Sequence, residues 1–244
     1  MGAIELVSNR AGARRALILV CAAALCVVMA SVSHGVSAQA NPITISNDFI
    51  RIFVNPGPDE AGRFGLETTG GDPAHAGDDG MPLIYGRPMP WTSFTTFRID
   101  GSDWVFGGKT TRRAGRSARY GAQVAAPHIV GDKIVTRYAL GDIVITQELS
   151  FAKSPTTRYM DTARIHYIVE NAGMVTRQVG IRVLIDTMLG QNDGAPLRSG
   201  DMAVTSDLKL EGGAVPDYWQ AFDSLTSPTV TSQGTLTGGE LTDP

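Results

Sequence analysis

The chain has 244 residues, with 21 Lys and Arg against 24 Asp and Glu, four His and a formal charge of -3. A mildly acidic chain of this kind is not built around nucleic acid, whose binders present a basic face. The two cysteines, Cys21 and Cys26, sit together near the N-terminus, so the rest of the chain has no disulfide, thiolate nucleophile or Cys–zinc site.

In chain order the first element is a leader. Arg10, Arg14 and Arg15 precede the apolar run ALILVCAAALCVVMA, and small residues follow as VSA and AQA. This is the pattern of a secretory signal peptide over residues 1–38, with cleavage after Ala38 or Ala40. The run is short for a membrane span, which needs ~20 apolar residues. The expectation is an exported protein (secreted, periplasmic or on the cell surface) with no membrane span after cleavage. Residues 39–244 then form one β domain, large enough to build a core without disulfides.

Every strong pattern beyond residue 40 is β-like. ITISNDFIRIFV alternates around a polar interruption and predicts one or two short strands. TSFTTFRIDGSDWVFGG predicts two strands turning at Asp100-Gly101, and KIVTRYALGDIVITQELSF predicts two more turning at Gly141-Asp142. In ARIHYIVENAGMVTRQVGIRVLID, Ile165, Tyr167 and Val169 share one face, as do Val179, Ile181, Val183 and Ile185. That predicts a hairpin whose two arms pair antiparallel, bringing Arg164 near Asp186. Long Gly/Asp/Pro segments separate these groups. Together they predict an all-β fold, a large antiparallel β-sandwich. The last strand-like stretch, TVTSQGTLTGGELTDP, begins a pattern and stops, as a C-terminally incomplete domain would.

Several clusters could carry chemistry. LIDTMLGQNDGAPLR supplies oxygen ligands in Asp186, Asn192 and Asp193, with Gln191 nearby. Calcium takes ~6–8 oxygens, so these three are the candidate calcium ligands. Asn192-Asp193-Gly194 is also what a tight turn demands, and both readings stay open. DPAHAGDDG offers Asp72, His75, Asp78 and Asp79, as a metal loop or an ordinary polar one. RRAGRSARY carries Arg112, Arg113, Arg116 and Arg119, suited to an anion or simply solvated. PDYWQAF groups Tyr218, Trp219 and Phe222. Aromatic faces beside Asp and Asn suit a sugar, which makes Trp219, Tyr218, Asn192 and Asp193 the candidate ligand contacts, with core packing as the alternative. His166 reads as a hydrogen-bonded sheet histidine. The carboxylates Glu67, Glu148, Asp161, Glu170 and Asp186 show no spacing that marks a glycosidase pair, and no nucleophile elbow or phosphate loop is present.

At FIRIFVNPGPDEAGRFGLETTGGDP, MPWTSFTTFRIDG and IRVLIDTMLGQNDGAPLR the chain resembles a group of uncharacterised secreted bacterial β-sandwich proteins. Its strand pattern is more distantly similar to the galactose-mutarotase-like supersandwich domains found beside carbohydrate-active enzymes. That similarity implies a supersandwich-like fold and transfers no catalytic residue. The function expected from the sequence is a secreted or cell-surface module that binds carbohydrate or a surface glycan, with no catalytic site identifiable. Two alternatives are the N-terminal domain of a carbohydrate-processing enzyme and a purely structural surface-assembly domain.

Overall fold

The computed structural model describes residues 3–6, 41–57, 59–110 and 118–237. The apolar run over residues 16–30 on which the signal-peptide expectation rests, Arg112, Arg113 and Arg116, and the end of the chain lie outside these residues. Residues Ala3–Leu6 (β1) pair antiparallel with Leu208–Glu211 (β15). Among the described residues no helix is long and apolar enough to cross a membrane.

The fold is all-β, but it is not one large sandwich. Apart from the β1–β15 pair, its strands divide into four small sheets arranged as the blades of a four-bladed β-propeller. The first blade runs β2 (Ile43–Ser46), β3 (Ile50–Val54) and β4 (Phe64–Thr68). The second has the order β12 (Val179–Leu184), β5 (Phe94–Ile99), β6 (Ser102–Val105) and β7 (Arg119–Tyr120). In the third, β11 (Thr162–Asn171), β10 (Ile143–Ala152), β9 (Lys133–Leu140) and β8 (Ala122–Val130) lie side by side. The fourth is β14 (Met202–Val204), β13 (Leu197–Ser199), β16 (Tyr218–Phe222) and β17 (Thr231–Thr235). The correction to the sandwich expectation has a physical basis. Period-two alternation reports that a strand buries one face, not how many strands share its sheet. Here the Gly/Asp/Pro segments interrupt pairing after three or four strands.

Local chemistry explains the hairpins. Asp100 (φ 46°) and Gly101 (φ 81°) both adopt the left-handed conformation that a two-residue β5–β6 turn requires. Gly141 (φ 69°) opens the β9–β10 turn. β9 buries every second residue, Ile134, Thr136, Tyr138 and Leu140, and exposes the rest more. The arms expected to form one hairpin instead go to different blades. β11 pairs with β10, so Arg164 stands opposite Ser150, while β12 pairs with β5 and the Asp186 N–H donates to Ser93 Oγ (3.0 Å).

Neighbouring blades share apolar cores. Phe97, Ile99 and Phe106 of the second blade region meet Tyr138, Leu140, Ile143 and Ile145 of the third. Phe97, Phe106 and Tyr167 pack edge to face there, with Phe97 and Tyr167 centroids 5.4 Å apart. Burying each such ring contributes on the order of 2–3 kcal/mol. A second cluster joins Ile52, Val54 and Phe64 of the first blade to Ile134 and Leu149 of the third. Leu83, Leu189, Ala221 and Val230 form a third, beneath the fourth blade.

Candidate functional site

The segment after β4 is laid down as irregular extended chain. Leu83 N–H donates to the Leu66 carbonyl (2.9 Å), and on its other side Tyr85 N–H donates to the Asp186 carbonyl (2.9 Å). Gly190 N–H reaches the Pro82 carbonyl (3.0 Å). Residues 82–85 are therefore held between β4 and the segment 186–190, and both flanks are fixed by backbone bonds. From this support the chain loops out through Gly86, Arg87, Pro88, Met89 and Pro90, and returns at Trp91. Gly86 has φ 105°, and a Cβ there would press on Pro90 and Trp91, so the loop needs glycine at that point.

The loop makes an open cleft of about 450 Å³, walled by Tyr85, Trp91, Pro88, Met89 and Met188. Tyr85 and Trp91 meet edge to face, with centroids 6.0 Å apart and planes at 82°. Arg87 stands at the rim. Its Nη1 lies 3.2 Å from Glu67 Oε2 and donates to the Gly80 carbonyl (3.0 Å). Glu67, only 7% exposed, is held from its other oxygen by Arg51 (2.5 Å). The cleft thus has two aromatic faces, thioether walls and one guanidinium fixed by a buried carboxylate. It can take apolar ring faces while Arg87 binds hydroxyl or carboxylate oxygens.

Asp186 sits behind this cleft rather than in its lining. Burial raises its carboxyl above the ordinary aspartate value; a hydrogen bond from Thr92 opposes that, and the charge of Asp193 adds to it. Asn192 spends its side chain on the turn: Oδ1 accepts the Gly194 N–H (3.0 Å) and Nδ2 donates to the Asp223 carbonyl (2.8 Å). Asp193 is exposed on that turn. Among the described residues no three His, Cys, Asp or Glu side chains gather as a metal site.

The other sequence candidates also have definite places. Trp219 packs against the cluster beneath the fourth blade and covers Gly234, its cross-strand partner. Tyr218 occupies the alternate face of β16, opposite Thr235. Neither lines the cleft. Asp78 is buried at the end of a 3₁₀ turn, where its carboxylate accepts the Asp72 N–H (2.9 Å). His166 Nδ1 lies 3.3 Å from Glu148 Oε2, which Lys133 Nζ approaches to 2.9 Å. The sequence reading missed Tyr85 and Arg87 as site residues. The available signal was YGRPMPW, a proline-rich loop bracketed by two aromatics.

Fold and cleft together define an all-β propeller module with an aromatic-walled surface site. No protein family matches the chain, and no curated protein matches it either.

Proposed function

We propose that this is an exported module that binds carbohydrate in the Tyr85–Trp91 cleft. The observation that carries the reading is the cleft itself: two rings at right angles, backed by Met188 and rimmed by an Arg87 that Glu67 holds in place. Apolar sugar faces stack on aromatic planes while their hydroxyls need fixed polar partners. A buried carboxylate that pins the guanidinium reduces the entropy lost on binding. Export rests on the basic and apolar pattern of the first 38 residues.

The test is a glycan-array screen followed by calorimetry with the strongest soluble oligosaccharide. Trp91→Ala is expected to weaken binding about tenfold or more, equivalent to about 1.4 kcal/mol. Trp219→Ala, where it remains folded, should leave affinity near that of the parent. Equal loss in both would move the site to the fourth blade. No binding by the parent to any glycan would remove the reading.

A further inference from the structure

The second blade ends on an open strand. β12 pairs with β5 on one side and, among the described residues, has no strand on the other. Asp100 N–H donates to the Gln178 carbonyl (3.1 Å), so by alternation the backbone groups of Gly180, Arg182 and Leu184 also face β5. Those of Val179, Ile181 and Val183 point outward. The side chains of these three share a face with their register partners Ile99, Phe97 and Thr95. Those partners are buried, yet Val179, Ile181 and Val183 are exposed, Ile181 to 55%. Free ladder groups beside exposed β-branched residues make a template for another strand.

We propose that this edge joins a second copy of the chain, β12 pairing antiparallel with the partner's β12 about a two-fold axis at Ile181. The register follows from three constraints. Outward backbone groups belong to odd-numbered residues, so odd must meet odd. Placing Ile181 opposite the partner's Ile181 sets Val179 against Val183 in both directions, an all-apolar row. On the other face Arg182 then stands opposite Gly180, which has no side chain to meet it. Sliding by two residues in one direction opposes Arg182 to its own copy, and like charges directly opposite are destabilising. Sliding the other way sets Val183 against Arg177. The self-complementary register is the isologous contact that two-fold dimers require. It fuses two blades into one continuous sheet.

Sedimentation velocity of the purified chain from about 1 to 100 μM tests this, since a short strand edge is a small interface of roughly micromolar strength. The expected result is a concentration-dependent dimer that Ile181→Lys abolishes without changing the cooperative melt, because Ile181 is exposed. Register is tested with Ile181→Cys in a Cys21→Ser, Cys26→Ser background. Directly opposed residues lie about 5.5 Å apart at Cα, within disulfide reach. Oxidation should give a covalent dimer, and Met174→Cys, in the exposed loop before β12, should not. A chain that stays monomeric at 100 μM and does not cross-link overturns the proposal. So does a dimer that persists in Ile181→Lys.

Discussion

Arg63 is a charged side chain in a place where charge is costly. It is completely buried, its guanidinium lies 4.7 Å over the Phe94 ring, and it donates to the carbonyls of Phe106 and Gly108 at 3.4 Å. Burial lowers its pKa, against the opposing influence of Tyr120 and Glu60. The long bonds are individually weak, but removal would leave two carbonyls without donors and a cavity the size of the side chain. Arg63→Ala is therefore expected to cost about 3 kcal/mol in a urea melt. Arg63→Met keeps most of the volume and the contact with Phe94, so its loss should be clearly smaller. Equal losses would show that the donated hydrogen bonds, rather than packing, hold this corner.

At the scale of elements, glycine and aromatic pairs set how closely strands can lie. Trp219 on β16 lies across Gly234 on β17, and a Cβ at Gly234 would overlap the indole. Gly234→Ala should displace the indole, shift its fluorescence and cost about 1–3 kcal/mol as overpacking. An unshifted spectrum with an unchanged melt would mean that the indole has room to move. This element also shows what a sequence can disclose. The Asp100-Gly101 and Gly141-Asp142 hairpins were legible because a left-handed turn is a property of the residues in it. The β11–β12 pairing was not. Apolar alternation in Ile165, Tyr167 and Val169 and in Val179, Ile181 and Val183 gives each strand one apolar face and leaves its partner open. β11 returned to β10 through residues 153–161, and β12 reached back to β5. The cleft was hidden for a similar reason. Tyr85 and Met188 are far apart in sequence and meet only because residues 82–85 are bonded to residues 186–190.

The whole molecule depends on what ties blades together beyond their apolar faces. Arg177, just before β12, bridges the two hairpin tips. Its Nη1 is 3.0 Å from Asp100 Oδ2 at the β5–β6 turn, and its Nη2 is 2.7 Å from Asp142 Oδ2 at the β9–β10 turn. The second and third blades are thereby clamped at one end, above the core of Phe97 and Ile145. Both carboxyls are held below the ordinary aspartate value of 3.8. For Asp100 the Gln178 N–H is the larger cause and Arg177 the second; for Asp142 the Arg177 hydrogen bond comes first. A carboxyl with a lowered pKa in the folded state stabilises the fold above its unfolded pKa, and that stabilisation disappears as pH falls through the folded value. Arg177→Gln should therefore lower Tm most at neutral pH, and the gap to the parent should close as pH drops below 3.8. Salt should narrow the same gap at pH 7, since these charges are exposed and screened. A Tm difference that stays constant from pH 7 to pH 3 would instead assign Arg177 a packing role. Because Arg177 leads directly into β12, loosening the clamp should also free the edge strand. Hydrogen exchange at Gly180, Arg182 and Leu184, whose N–H groups face β5, would then rise together with exchange at the two hairpin tips. If it did not, the edge would be ordered by its ladder with β5 alone.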